Sequence, residues 1–372
     1  VTIEHDGEPG KTGTELREVR RNAERDAAIA AGPEKRSGSR AGREDGKRTF
    51  ASRVAGYLME LFASSPNPTD LSLWEIFRHS RYLDASADER SRIEMESAKW
   101  RYEYEAQHDS LERYFPEAVP LLRGQRVLDL GCFTGGRLVA WAERHGFETS
   151  TGIDINPLFA EAGRKFAESR ALDKVSGLSG RRTPRFDMGV GERLPYPDAS
   201  FDAIVSLDVF EHVQDVAAVM SECRRVLAPG GLLLACFPQY FQPLESHLGM
   251  FTRLPGMHLL FPGETLANAI AATTADRGPA SAWYGYDGKS DWERSPYLNG
   301  ITVKRFRSIY HDQGWSVRQW STDPIFSDGR KARLPVFRAL RALARPLAKV
   351  PVLEEFFLGR ICCVLARPLG DT

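Results

Sequence analysis

Residues 1–48 hold almost no large apolar side chains; Gly, Ser and Pro alternate there with charges of both signs. Such a segment buries too little apolar surface to offset its ordering entropy, so 1–48 is expected to be a disordered tail, with Glu15 to Ala31 as its one candidate helix. From Phe50 the pattern changes. Apolar residues recur at helical spacing over Phe50–Phe62, Leu71–Arg81 and Asp88–Tyr114, with Asp70 placed to cap the second helix and Pro116 following the third. The third carries Ile93, Trp100, Tyr104, Leu111 and Tyr114. Residues 49–120 are therefore expected to form a helical N-terminal lid.

After residue 125 short apolar runs alternate with amphipathic stretches. Strands are expected at Arg126–Leu130, Thr149–Ile153, Phe186–Gly189, Phe201–Leu207 and Gly231–Phe237, with helices at Gly136–His145, Asn156–Ser169 and Val216–Leu227. Strands alternating with helices predict βαβ units, hence an α/β fold with a doubly wound, mostly parallel sheet and right-handed crossovers.

Charge and composition narrow the function. The 50 Lys+Arg of the 372 residues balance 50 Asp+Glu, so a general nucleic-acid binder, which needs a basic excess, is not expected. No apolar run approaches a membrane span; the longest, Val226 to Phe237, is interrupted by Pro229-Gly230-Gly231. The polar N-terminus does not resemble a secretory signal, and a cytoplasmic location is expected. Five cysteines without C-x-x-C spacing predict buried thiols, with neither a disulfide framework nor a metal site.

The candidate chemistry lies at strand ends, where open α/β sheets bind ligands. Asp129, Asp154 and Asp208 occupy three such ends, Glu192 follows the third strand, and Gly131-Cys132-Phe133-Thr134-Gly135-Gly136 follows the first. A nicotinamide dinucleotide needs a close-approach glycine where Phe133 stands, and Asp129 would repel its phosphates. S-adenosyl-L-methionine has no phosphate, carries a sulfonium and an ammonium group, and suits carboxylates. Asp154, 18 residues after Gly136, is placed to accept hydrogen bonds from ribose hydroxyls.

These motifs resemble the class I S-adenosylmethionine-dependent methyltransferases. Val127-Leu128-Asp129-Leu130-Gly131-Cys132-Phe133-Thr134-Gly135 is similar to the family's D-x-G-C-x-x-G, and Gly152-Ile153-Asp154 to its ribose-binding strand end. The stretch Gly191 to Asp202, Asp208-Val209-Phe210-Glu211-His212-Val213, and Arg225 to Gly231 resemble three further family segments in the same order. The resemblance implies a Rossmann-like core over 121–238 that binds S-adenosyl-L-methionine through Asp129, Gly131, Phe133, Gly135, Asp154, Ile155, Glu192 and Asp208. Two positions depart from the pattern: Phe133 replaces a common middle glycine, and Val190 stands where an acid often contacts adenine. The first is expected to leave a main-chain amide facing the cofactor, the second to shift adenine recognition to backbone near Gly191 and Glu192. The resemblance also implies a closing helix, Thr302–Gln313, and an antiparallel C-terminal hairpin of Trp315–Ser321 with Arg360–Ala366.

Two insertions remain. Residues 239–300 are rich in aromatics, from Tyr240 and Phe241 to Trp292 and Tyr297, and are expected to cap the substrate, although aromatics also serve as an insertion's own core. His247, His258 and His212 are the candidate general bases, each with a purely structural role as the plainer alternative. Within 301–372, the C-terminal part of the core, residues 330–349 carry seven Lys+Arg and no acid. At 100° per residue they form a basic amphipathic helix. Such a helix packs between domains with a solvated Arg face, or contacts an anionic membrane as a peripheral protein at its inner face, or meets an acidic partner. The expected activity is methyl transfer to a small-molecule, sugar (glycan) or lipid-linked acceptor, at oxygen. The alternative is a non-catalytic binding or assembly protein that keeps the fold.

Overall fold

The computed structural model describes residues 50–62, 86–171, 183–243, 252, 254–262, 265–266, 268–269, 299–325, 327 and 334–370. The expected tail, the helix Leu71–Arg81 and most of the 239–300 insertion, His247 included, lie outside them.

Two helical stretches open the described chain: α1 (Phe50–Leu61) and then α2 (Ala87–His108) with α3 (Ser110–Tyr114). The last two replace the single helix expected over Asp88–Tyr114. Asp109 adopts φ 43 between them and its side chain accepts the Glu112 N–H, capping α3. The same carboxylate receives Arg144 at 3.0 Å and His145 at 3.1 Å, so a tertiary contact holds the break.

The sheet strands are β1 (Arg126–Leu130), β2 (Thr149–Asp154), β3 (Arg185–Met188), β4 (Phe201–Leu207), β5 (Leu227–Phe237), β6 (Ser316–Trp320) and β7 (Ile361–Ala366). The helices between them are α4 (Gly136–His145), α5 (Pro157–Ala171), α6 (Val216–Val226), the short α7 (Met257–Leu260), α8 (Val303–Asp312), α9 (Pro335–Leu347) and the short α10 (Glu354–Phe357). The strand order is β3-β2-β1-β4-β5-β7-β6. β1 to β5 pair in parallel, and β7 runs antiparallel to both β5 and β6. This is the Rossmann-like sheet and C-terminal hairpin that the family resemblance implied. β5 begins at Leu227, earlier than expected, because Leu227 pairs with Phe201 before the register shifts.

Side-chain alternation along the strands feeds two cores. Val127, Val205 and Leu234 face α2, α4 and α5, together with Trp141 and Phe166. Leu128, Ile204 and Leu233 face α6 and α8, together with Met220 and Phe306. On the first face Tyr102 donates to Glu143 at 2.6 Å and Arg170 reaches Glu143 at 3.0 Å, joining α2, α4 and α5. A third cluster packs Ala55 and Met59 of α1 against Met257, Leu266 and Ala269, so α1 and the described part of the 239–300 insertion share a core.

Cys236 and Cys362 are cross-strand neighbours on β5 and β7, with Cα atoms 4.2 Å apart, and are disulfide-bonded. That corrects the expectation of five thiols. Strand pairing, which spacing along the chain does not show, brings the two together across 126 residues. Cys132, Cys223 and Cys363 are buried thiols.

α2 crosses α4 so closely that a Cβ on Gly136 would lie 1.8 Å from the Ala98 carbonyl oxygen. Gly136→Ala is therefore expected to destabilise the protein by about 3 kcal/mol in urea unfolding, because backbone must move to admit the methyl group. Gly124→Ala, at φ +71 but in open space, should cost about 1 kcal/mol from backbone strain alone.

Candidate functional site

Strand order reverses between β1 and β4, and a crevice beyond their carboxyl ends is where an open α/β sheet binds ligands. The turn after β1 builds one wall. Gly131 N–H and Cys132 N–H both donate to the Ile153 carbonyl, at 2.8 and 3.0 Å, which ties this turn to β2. Gly131 has φ 75, and a Cβ there would lie 2.3 Å from Val209 Cγ2, so the turn and the segment after β4 meet only because residue 131 is glycine. Thr134 Oγ1 lies 3.2 Å from Ser97 Oγ and pins the turn to α2.

Asp154 clasps two turns. One carboxylate oxygen accepts the Phe133 N–H and the other the Asn156 N–H, each at 2.9 Å. Burial pushes the Asp154 carboxyl up to about 6, against the pull of those two amides. The Phe133 amide was expected to face a cofactor; the structure turns it onto Asp154 instead. Phe133 adopts φ 52, a left-handed conformation that costs a non-glycine residue roughly 1 kcal/mol. Its ring packs on Phe159, with centroids 4.2 Å apart, in a cluster with Ile93 and Trp100. That contact gives an apolar return for the strained backbone. Ile155, next to Asp154, is 65 % exposed.

Asp129 is wholly buried. Arg137 Nη2 reaches one of its oxygens at 2.8 Å and Nε the other at 3.4 Å. The same guanidinium reaches the carbonyls of Gly131, at 3.2 Å, and Leu207, at 3.5 Å. Burial raises the Asp129 carboxyl, and the Arg137 charge limits the rise. Asp129 thus meets Arg137 rather than the open crevice. Behind the pair, buried Glu105 accepts Ser110 N–H, Ser110 Oγ–H and Trp141 Nε1–H at 2.9, 2.6 and 3.2 Å.

Asp208 ends β4 in a left-handed conformation, φ 59, and pairs with Arg360, which precedes β7 at the same sheet edge. Desolvation pushes its carboxyl up, but Arg360, Arg137 and Arg101 outweigh it and hold it below the ordinary value. The Asp208 side chain is 56 % exposed, consistent with the charges winning. Glu192 accepts the Gln214 and Asp215 N–H groups at 3.0 and 3.4 Å, joining its loop to the start of α6. Beside it, Val190 and Arg193 form an antiparallel bridge across the tight turn at Gly191.

His212 lies 3.6 Å from buried Glu211 on the segment leaving β4. His258 is buried in the 239–300 insertion, with Nε2 2.8 Å from the Tyr240 carbonyl. The structure brings Asp129, Gly131, Phe133, Gly135, Asp154, Ile155 and Asp208 to one sheet edge. It places Glu192 at the adjoining loop and His258 within the packing of the 239–300 insertion. A cleft of about 590 Å³ bounded by Gln125, Asp202, Gly230 and Arg318 opens at the opposite, amino edge, away from these acids.

Sequence reasoning missed Arg137 and Arg360. The signal for Arg137 was a charge inside the otherwise apolar run Leu138, Val139, Trp141 of one helix, all buried here. Arg360 gave no such signal, because only strand pairing sets it beside Asp208.

Residues 128–235 match a family described as Methyltransferase domain. The chain is 32% identical over 171 residues to a demethylmenaquinone methyltransferase of Deinococcus radiodurans, covering 40% of this chain and 67% of that protein. It is 34% identical over 112 residues to norajmaline N-methyltransferase of Rauvolfia serpentina, covering 30% of this chain and 35% of that one. A probable tocopherol O-methyltransferase of Oryza sativa subsp. japonica is 29% identical over 168 residues, covering 44% of this chain and 41% of that one. The chain thus spans about a third to two thirds of the length of these relatives.

Arg137→Met strands the buried Asp129 charge and should cost about 3–5 kcal/mol in urea unfolding, whereas Asp129→Leu combined with Arg137→Met should recover most of that loss.

Proposed function

Because the chain belongs to the S-adenosylmethionine-dependent methyltransferase family, we propose that it transfers a methyl group to a small-molecule, sugar or lipid-linked acceptor, at oxygen. The observation that carries this reading is the Asp154 clasp at the β1–β4 crevice, with an exposed apolar Ile155 beside it.

The residues present fit the cofactor. A carboxylate offers about four lone-pair sites, and the two amides use two of those on Asp154, so capacity remains for two ribose hydroxyls. Ile155 offers apolar surface to a purine, and the backbone near Gly191 and Glu192 offers polar groups to its edge. Asp208 and Arg360 present both charge signs, as a zwitterionic amino-acid group requires. Asp129 acts one step back, holding Arg137 and through it the carbonyls of Gly131 and Leu207. Gly131 and Gly135 let the turn approach closely.

S-adenosyl-L-methionine supplies a methyl group on a sulfonium leaving group, so the protein has to hold the acceptor in line and keep water out. The aromatic cap suits both needs, because Tyr240 and Phe241 meet edge to face at 5.1 Å and Phe241 meets Phe356 at 5.2 Å. A hydroxyl acceptor gains from a base, for which we propose His247 first, then His258 and His212. His258 faces the Tyr240 carbonyl through Nε2, which places its ring proton there and makes Nδ1 the accepting atom. The relatives' names, demethylmenaquinone, norajmaline and tocopherol, support a small-molecule acceptor.

Calorimetric titration with S-adenosyl-L-methionine should show binding that Asp154→Ala weakens at least about tenfold, as expected for losing charge-assisted hydrogen bonds. Absence of binding by the unaltered protein, with Asp154→Ala no different, would overturn the reading.

The pH dependence follows from the same group. The Asp154 carboxyl is raised to about 6, so it ionises only above that value, and the ionised form accepts the hydroxyls. Affinity should be constant above about pH 7 and fall about tenfold per unit below about pH 6. Stability of the apo-protein, measured by urea unfolding, should show the opposite trend. Between the ordinary carboxyl value and about 6, the native state holds more protons than the unfolded state, so this group's contribution to stability falls as pH rises.

A further inference from the structure

The helix α9 is packed the reverse of an ordinary surface helix. The side that meets the protein is narrow: Ala344, and Ala348 just after it, are buried, and Phe337 between them around the helix is half-buried. Its large apolar residues meet solvent: Val336, Leu340 and Leu343 are 59 %, 40 % and 69 % exposed. At 3.6 residues per turn these three and the half-buried Leu347 fall within an arc of about 60°. Val350 and Val352, 43 % and 76 % exposed, extend the apolar surface past the helix end. Arg338, Arg341 and Arg345, with Lys349 following, lie on the far side of the helix, and residues 334–353 contain no acid. Among the described residues, none of these four cations meets a carboxylate. A helix that packs between domains with a solvated Arg face would bury its leucines; this one leaves Leu340 and Leu343 exposed.

Its position in the fold gives the face a purpose. β6 is parallel to β5, so the connection carrying α9 leaves the sheet at the carboxyl edge, and β7 starts from that edge beside the end of β5. The neighbouring α10 is fixed there too, since Glu355 accepts the Val303 and Lys304 N–H groups at the start of α8, at 3.0 and 2.7 Å.

We propose that α9 docks the carboxyl edge of the sheet on an anionic lipid bilayer, lying in the interface with Val336, Leu340 and Leu343 among the acyl chains and its arginines near the headgroups. An apolar face opposite an Arg-rich polar one, on a helix too short to span, is the physical form of an interfacial helix. An acidic protein would satisfy the arginines but leave the leucine face exposed, and a second copy would cover the leucines but bring like charges together. A bilayer satisfies both. Docking depends on the helix alone; together with the methyl-transfer reading it turns the crevice edge toward the membrane.

The full chain should co-sediment with vesicles of phosphatidylcholine and phosphatidylglycerol, much less with phosphatidylcholine alone, and less as salt is raised. Arg338→Glu with Arg345→Glu should lower partitioning at least about twentyfold, at roughly fivefold per charge. Leu340→Ser with Leu343→Ser should lower it about tenfold or more by removing apolar burial. Circular dichroism and S-adenosyl-L-methionine titration of both variants should match the unaltered protein, so failure to dock and failure to bind cofactor are separate results. Equal binding to neutral vesicles, no binding at low salt, or variants that partition like the parent would overturn the proposal. So would a concentration-dependent dimer that Leu340→Ser with Leu343→Ser abolishes while vesicles bind neither form.

Discussion

The buried contact between Arg137 and Asp129 sets the shape of everything around it. One guanidinium reaches a carboxylate at the penultimate position of β1, the Gly131 carbonyl in the following turn, and the Leu207 carbonyl at the end of β4. These are the two strands between which the sheet order reverses. Removing an arginine and an aspartate from water is costly, and their attraction offsets that cost only when the remaining donors are also satisfied. Here the carbonyls take them. The pair ties α4 to β1 and its turn, and the Leu207 carbonyl adds one contact from the same guanidinium to β4.

Around that pair the glycine turn shows two kinds of constraint. At Gly131 and Gly136 the limit is space, since the segment after β4 and helix α2 occupy the positions a side chain would need. At Phe133 the limit is conformation, met by a left-handed backbone and offset by ring packing on Phe159. Asp154 then joins this turn to the next through its two oxygens, and burial moves its ionisation toward neutral pH. A group so placed is costly to ionise because it is buried, and the two amides offset only part of that cost.

The electrostatics of the edge differ from what the chain suggests when read in one dimension. Asp129, Asp154 and Asp208 look like an acidic rim. In three dimensions Arg137 neutralises the first and Arg360 the third, leaving Asp154 as the carboxylate whose partners are neutral amides. The basic stretch near the C-terminus changes its meaning as well: it is a helix whose leucines, not only its arginines, face outward.

The sheet was legible because its determinants are local. Short apolar runs, a glycine turn and Pro-Gly stops predict where strands begin and end to within a few residues, and β5 moved only because Leu227 found a partner in Phe201. The order of motifs was enough to indicate the family, since each lies at a strand end whatever the surrounding packing. The break at Asp109, the disulfide between Cys236 and Cys362, the Arg360 partner of Asp208 and the outward leucines of α9 were not legible. Each depends on a residue far away in sequence, and a side chain's pattern along the chain carries no record of which distant group it will meet. The sequence by itself determined the elements, their hand and the acids at the crevice. Only the tertiary structure decided which of those acids meet a cation and which meet neutral amides, because neutralisation, burial and exposure are properties of neighbours in space.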